Sequence, residues 1–386
     1  MPQAPAHPGG TTSSKYKVVY NFGAVPDADK PRASLIDVGG VLYGTTKYGG
    51  EGSCANGYYG CGAVFSLTTD GTEKVLYSFS YGNDGLWPVA SLLKINGRLY
   101  GTTTSGGPDG TVFSITTSGT VDVLHQFTGG TDGGGPAGDL IDVKGKLYGT
   151  TYWGGGVGHS GGRGTVFSIT TSGVEKVLHS FGKSRQGANP TAGLIRVGGT
   201  LYGTTADGGA QRAGTVFRIT TGGREKVLHS FGSGDGIRPV ASLTVMNGTL
   251  YGTTQYGGTG ACNDKFHTGC GTVFSITPSG TEQVLYSFAG GADGIYPVAS
   301  LIDVNGSLYG TTEYGGTGAC SSGYDHGCGT VFSITPSGTE QVLYSFGTAP
   351  DGANPVASLT DVNGLLYGTT NGGGAHGVGT VFALSP

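Results

Sequence analysis

Charge is scarce in this chain. Only 12% of its 386 residues are Asp, Glu, Lys or Arg, against 36% hydrophobic and 10% aromatic, a balance that excludes a chain kept unfolded by its own solvation. The 21 Lys and Arg are spread thinly within a net charge of −4, so no basic stripe follows a phosphate backbone and no nucleic-acid partner is expected. Long apolar runs are missing as well. None approaches the roughly 18 residues of a membrane span. No secretory apolar region stands at the start either, where Met1 to Gly10 reads MPQAPAHPGG, a polar, Pro-rich leader with the look of a trimmed or engineered beginning. Nor does any window carry apolar residues at i, i+3, i+4 and i+7, which removes most helical architectures.

Gly is what the chain has in abundance, with 80 residues. Each costs on the order of 1 kcal/mol relative to Ala inside a helix. The glycines cluster in GG pairs without a G-X-Y period, so collagen is excluded too.

The glycines belong to a repeat. LYGTT occurs seven times, its Tyr falling at Tyr43, Tyr100, Tyr148, Tyr202, Tyr251, Tyr309 and Tyr367. Behind each comes G-[TA]-V-F, ending at Phe65, Phe113, Phe167, Phe217, Phe274, Phe332 and Phe382. A V-L-[YH]-x-F run follows six times and a P-x-[AG]-x-L run completes the unit. Each run is short, rich in β-branched and aromatic residues and bounded by Gly-containing turns, so each reads as a strand. In the sixth unit the strands are expected at Val298 to Val304, Leu308 to Thr312, Thr330 to Thr335 and Glu340 to Phe346.

Spacing separates framework from site. From the Pro to the LYGTT Tyr is 12 positions in all seven units, and from the GTVF Phe to the following Leu is 11 in six. Only the segment between strands two and three varies, from residues 104–109 to residues 255–270, and a tolerated length change marks an exposed loop. The last unit lacks its fourth strand, which appears instead at the front as Lys17 to Phe22. These complementary ends predict an all-β, closed seven-bladed β-propeller of four-stranded antiparallel blades, with the N-terminal strand completing the last blade. Residues 16–386 are expected to be this one propeller, preceded by a disordered leader or tail over 1–15; an open solenoid would need atypical capping repeats instead.

The repeated LYGTT, YGG, GTVFSIT, SGTE, VLYSF and PVASLIDVNG resemble the GloVer tandem repeat of bacterial surface proteins described as "choice-of-anchor", with kelch-like units, over roughly residues 16–386. The resemblance implies an exported, propeller-like protein and brings no catalytic motif to transfer. The anchor expected at the C-terminus of such proteins has no counterpart here, which reads as a secreted member or a trimmed chain.

All six Cys lie in the variable loops, as Cys54/Cys61, Cys262/Cys270 and Cys320/Cys328. Local pairing and an even count fit three loop disulfides in an oxidising compartment. Metal is the alternative, because His267 and His326 lie inside two of the pairs, but the first pair brackets Tyr58 and Tyr59 and no His.

The loops between strands four and one open on the same propeller face. They carry D-G-x-x-P at Asp84, Asp132, Asp235, Asp293 and Asp351, with Asp27 and Gln186 as variants. An Asx-type turn explains this motif. Calcium is the one cofactor kept open, although one Asp per blade falls short of six to eight oxygens. The residue before the Pro changes at every blade, as Lys30, Trp87, Gly135, Asn189, Arg238, Tyr296 and Asn354. The positions after LYGTT change likewise and include Tyr48, Tyr152, Trp153, Asp207, Tyr256, Glu313 and Tyr314. With Tyr58, Tyr59, Tyr81 and Tyr324, eleven aromatics fall on one rim among polar residues, the composition of a recognition surface. Tyr48, Trp87, Trp153, Asn189, Arg238, Tyr256, Tyr296, Tyr314 and Asn354 are therefore the candidate ligand-binding residues. Packing against neighbouring loops is the competing explanation for the rings.

No nucleophile elbow, HExxH, P-loop or paired-carboxylate motif is present. His125, His179 and His229 replace the strand-four Tyr and share its packing role, leaving His159, His267, His326 and His376 in loops. Asp139 stands where five units have Ser34, Ser91, Ser242, Ser300 and Ser358 and another has Gly193. Three functions follow as expectations. A secreted or cell-surface protein that binds a glycan as a monomer comes first. A polysaccharide lyase or hydrolase using Asp139, His159, Tyr152 and Arg163 comes second, and a structural scaffold third.

Overall fold

Seven sheets of antiparallel strands form from the seven units, because each unit alternates a strand-forming run with a turn that only a left-handed residue can make. The computed structural model describes residues 16–23, 25–52, 54, 60–156, 162–182, 185–262, 267–322 and 325–386. The expected leader, Tyr58, Tyr59, His159 and Tyr324 lie outside the described residues. In blade 6 the strands run Ile302–Val304, Ser307–Thr312, Thr330–Ile334 and Glu340–Ser345 and pair in that order. The turn between the first two is Asn305-Gly306, at φ 54° and 82°. Blade 1 has one more strand, Ala28–Pro31, on the extended second strand Val41–Gly49.

The first strand is shorter than the sequence suggests. Val298 to Leu301 leaves the ladder, and Val298, Ala299 and Ser300 line the central channel with the equivalent residues of the other blades. There the backbone bonds sideways to the next blade: Ser34 N–H donates to Ser91 Oγ at 3.2 Å, Ser91 N–H to Asp139 Oδ1 at 2.7 Å and Gly193 N–H to Ser242 Oγ at 2.9 Å.

Ring closure is carried by the chain ends. Tyr16–Asn21 pairs with Thr380–Leu384, completing blade 7. On the other side of that blade, Lys30 N–H donates to Val378 O at 2.9 Å and Thr369 Oγ1 to Ala33 O at 3.3 Å, joining blade 7 to blade 1.

Between blades the core is a ring of Phe pairs. The Phe ending each fourth strand meets the GTVF Phe of the next blade edge to face, as Phe79 with Phe113 at 5.2 Å and Phe346 with Phe382 at 5.1 Å; Phe22 with Phe65 at 5.2 Å does the same across the seam. All are fully buried, each removing apolar area worth about 2–3 kcal/mol from water. The same rings explain why LYGTT contains Gly. A Cβ on Gly310 would lie 2.7 Å from Phe332 Cζ and 2.8 Å from Leu301 Cδ2.

The Gly of GTVF is fixed by the neighbouring blade. At Gly329, φ is +99°, and a Cβ would lie 2.5 Å from both Pro355 Cδ and Thr312 O. Gly329→Ala is therefore expected to cost about 3 kcal/mol or more, since backbone and a rigid ring must both move. Gly306→Ala, with φ +82° and nothing within 4 Å, should cost about 1 kcal/mol from conformation alone. Paired denaturant melts measure the difference, and equal losses would contradict the blade-contact role of Gly329.

Candidate functional site

The variable residue before each blade proline has a left-handed backbone in all seven blades. The φ values are 55° at Lys30, 60° at Trp87, 62° at Gly135, 57° at Asn189, 57° at Arg238, 59° at Tyr296 and 57° at Asn354. A residue preceding Pro ordinarily prefers an extended backbone, and non-Gly residues rarely take positive φ. The conformation is imposed by hydrogen bonds. Each of the seven N–H groups donates to the residue before the GTVF glycine of the preceding blade, at 2.7–2.9 Å. In six of them the carbonyl accepts from the residue after LYGTT of its own blade, at 3.0–3.2 Å. Gly would fit this position best, yet only blade 3 uses it.

Side chains at this ring divide by what holds them. Asn189 Nδ2 donates to Tyr152 O at 3.0 Å and Asn354 Nδ2 to Glu313 O at 3.1 Å, so these two tie adjacent blades together, and Asn tolerates left-handed geometry. Tyr296 is only 4% exposed, with its ring 4.8 Å from Tyr256 and 6.1 Å from Tyr314. It braces these two half-buried rings from beneath. Trp87 meets Tyr48 edge to face at 6.3 Å, and Tyr152 meets Trp153 at 5.7 Å. Arg238 has a buried Nε without a hydrogen-bond partner. For Arg238→Gly, relief of the left-handed strain and of that donor outweighs the entropy of a new Gly, so stability should stay level or rise by up to about 1 kcal/mol. A thermal melt checks this, and a clear loss would show that Arg238 is held for packing.

Three disulfides, Cys54–Cys61, Cys262–Cys270 and Cys320–Cys328, close the long loops with Cα separations of 5.4, 5.0 and 5.0 Å, and no free Cys is present among the described residues. Their placement ties them to the ring. The carbonyls of Cys61, Cys270 and Cys328 are the ones that accept from Trp87, Tyr296 and Asn354. Each bridge thus fixes the anchor of the next blade's variable residue.

The D-G-x-x-P carboxylates are consumed by the fold. Asp84 accepts from Tyr77 Oη at 2.9 Å and Ser80 N at 3.1 Å; Asp293 accepts from Tyr286 Oη at 2.8 Å and Ala289 N at 2.6 Å. Burial and these acidic partners push the Tyr77 phenol up to about 12 and raise Tyr286 as well. His229 takes the Tyr role against Asp235 at 2.7 Å. With Glu282, these two could bring three ligand atoms within 4.8 Å, but the arrangement repeats the Tyr286–Asp293–Glu340 contact of the next seam, so the repeat already accounts for it.

Asp139 sits in the central channel and accepts from Ser91. Burial raises its carboxyl, against the lowering effect of the Ser91 hydrogen bond. Gly193 makes room for it, since a Cβ there would lie 3.0 Å from Asp139 Cβ and 2.8 Å from its carbonyl. Arg163 is exposed and lines a shallow cleft with Asp207 and Arg212. Among the described residues no hydrogen bond or ion pair joins Asp139 to Tyr152 or Arg163, and the fourth member of that candidate set, His159, is outside them.

Two residues that the sequence reading passed over belong to this face. Arg32 follows the blade 1 proline where other units have Val89, Ala137, Thr191, Val240, Val298 or Val356, and Lys47 follows LYGTT. Aligning every column of the unit, rather than the Ser column alone, would have exposed Arg32.

These features define a closed seven-bladed β-propeller built from tandem repeats. The chain belongs to the Gloeobacter/Verrucomicrobia repeat family, whose model matches residues 9–161 and 156–322. No curated protein matches it. Among solved structures it is similar to a putative 6-phosphogluconolactonase from Bacteroides uniformis, at 16% identity and TM-score 0.52, over 84% of this chain and 87% of that one. A putative 6-phosphogluconolactonase from Bacteroides fragilis is likewise similar, at 16% identity and TM-score 0.52, over 91% and 99%. A puromycin hydrolase mutant matches at 14% identity and TM-score 0.53, over 88% of this chain and half of its own, 50%. At such identities the likeness concerns the fold alone. No helix among the described residues is long and apolar enough to cross a membrane.

Proposed function

We propose that this protein is an extracellular binding module that recognises a carbohydrate through the variable face of the propeller, as a monomer. One observation carries the reading: six of seven blades hold a non-Gly residue in a left-handed conformation at the same ring position, and the side chain changes from blade to blade. Such outliers persist where the surroundings over-determine them and cluster at binding sites. Trp153 and Tyr314 supply flat apolar area, Tyr256 stacks on His267, Tyr48 and Trp87 carry the Lys30 and Lys47 ammonium groups over their rings, and Arg238, Asn189 and Asn354 supply hydrogen-bonding groups between them. Tyr and Trp give contact area at low entropic cost. Three disulfides and the bacterial surface repeat family support a location outside the cytoplasm.

A glycan array read together with a reducing-end and unsaturated-product assay tests this function. Binding without product is the expected result. Silence on every glycan would leave a structural scaffold. The enzymatic alternative has one observation in its favour, Asp139, the one carboxyl among the described residues that line the channel, whose pKa desolvation raises. It predicts turnover that Asp139→Asn abolishes. A recognition module predicts that Asp139→Ser, the residue of five other blades, changes neither folding nor binding.

A further inference from the structure

Three of the chain's few cations gather at one point of the variable face, on the seam where blade 7 closes onto blade 1. Lys30 is the left-handed residue of blade 1. Its Nζ lies 5.6 Å from the centre of the Tyr48 ring, and Lys47 Nζ lies 5.1 Å from Tyr48 and 5.5 Å from Trp87. Arg32 is exposed at the channel mouth, where its Nε donates to Asn371 Oδ1 of blade 7 at 3.3 Å. That bond orients the guanidinium across the seam.

Among the described residues, none of the three cations forms an ion pair. Burial lowers the Lys47 ammonium pKa, and the charges of Arg32 and Lys30 lower it further, so the group pays for like-charge proximity. Asp29 adjoins Lys30 in sequence, but burial raises its carboxyl, opposed by Lys30 and reinforced by Asp27, and no ion pair joins it to either Lys. Asp27 itself is occupied by Tyr20 Oη, Gly23 N and Ala28 N. A structural role would favour the small uncharged Val, Ala or Thr that the other blades place at the position equivalent to Arg32. A neutral ligand would gain little from three like charges.

We propose that Lys30, Arg32 and Lys47 bind the negative group of an acidic sugar, a carboxylate or sulfate, with the Tyr48 and Trp87 rings holding the two Lys ammonium groups in place beneath it. The inference rests on the carbohydrate-recognition reading and names its ligand class. Lys and Arg gathered at one spot hold an oxyanion by charge-assisted hydrogen bonds, which salt weakens.

Calorimetric titration of the full chain tests it with four probes: a galacturonate hexamer, its methyl ester, a sulfated galactan hexamer and a neutral galactan hexamer, each at low and high NaCl. The expected result is at least tenfold tighter binding of an acidic probe than of its neutral counterpart. It should weaken with salt, and Arg32→Gln with Lys47→Gln should lose it at least tenfold. Preference for the uronate or for the sulfated probe identifies which oxyanion is held. Equal affinity for each acidic probe and its neutral counterpart, in both pairs, where the carbohydrate reading survives, would overturn the anion site. So would acid binding that the paired variants leave intact. Absence of binding to all four and to every glycan on an array would remove both readings. Should the variants melt early, the two acidic-against-neutral comparisons on the unaltered protein still decide.

Discussion

Deleting residues 16–22 is expected to abolish the monomeric fold. The segment supplies the outer strand of blade 7, and without it Thr380–Leu384 would become an open edge, an invitation to pair with another chain. Phe22 would be lost from its fully buried contact with Phe65, and Tyr16 from its stack on Tyr344 at 3.9 Å and its bond to Asp351 at 2.5 Å. Three blades are touched by one strand. Phe22→Ala isolates the packing contribution and should cost about 3–5 kcal/mol, as large-to-small changes at buried Phe do. Size-exclusion chromatography with a thermal melt reads both variants. A monomeric, cooperatively melting deletion protein would mean that the blades hold without closure.

Acidification from pH 8 to pH 5 is expected to raise the melting temperature. Five glutamates, Glu73, Glu175, Glu225, Glu282 and Glu340, occupy one position at the start of strand four, and one carboxylate oxygen of each is buried without a partner. Burial pushes Glu73, Glu175, Glu225 and Glu340 up to about 7 and raises Glu282; nearby Asp27, Asp132 and Asp293 add to it at Glu73, Glu175 and Glu340. A carboxyl whose folded value is raised binds its proton more tightly in the fold, so its stabilising contribution is complete below the unfolded value and disappears as pH rises through about 7. His125 and His179, lowered by burial, act in the opposite direction below their unfolded value, but they are two against five. These glutamates are only partly buried, so solvent screening limits each to about 1 kcal/mol or less, and together to about 5 °C in a chain of this size. Changing all five to Gln should raise the melting temperature at pH 8 and leave it unchanged at pH 5. A melting temperature that is flat or rises with pH would show that these seams do not titrate as the geometry implies.

The framework was legible because its physics is local or repeated. Constant intervals between Pro, LYGTT and GTVF fix turn geometry, and the missing fourth strand of the last unit locates its replacement at the front. The limits of each strand were less legible. Val298 to Leu301 has the composition of a strand, yet seven such segments converge on one axis and trade their ladder for sideways bonds to the next blade. The candidate face was legible as a set of varying positions, but its conformation was not. A residue before Pro reads as extended, and only the inter-blade bonds to Val378, Cys61 and their equivalents reveal why Lys30 and Trp87 turn left-handed. Tyr296 shows the same limit from the other side, since only the packing of Tyr256 and Tyr314 above it reveals that it is covered. The glutamates likewise look like exposed strand-start residues until the preceding blade is laid against them.

The ring itself can be tested with a single protein carrying Lys30→Gly, Trp87→Gly and Arg238→Gly. Gly is the residue that the left-handed backbone accepts at no steric cost, so the backbone of the ring is kept while its side chains are removed, with Trp87 the one that also gives up packing on the core. The measurement is the glycan array with this variant beside the parent, each first verified by a cooperative melt. The predicted result is a folded propeller that has lost glycan binding; an array profile unchanged from the parent would contradict the assignment of the variable ring as the binding site.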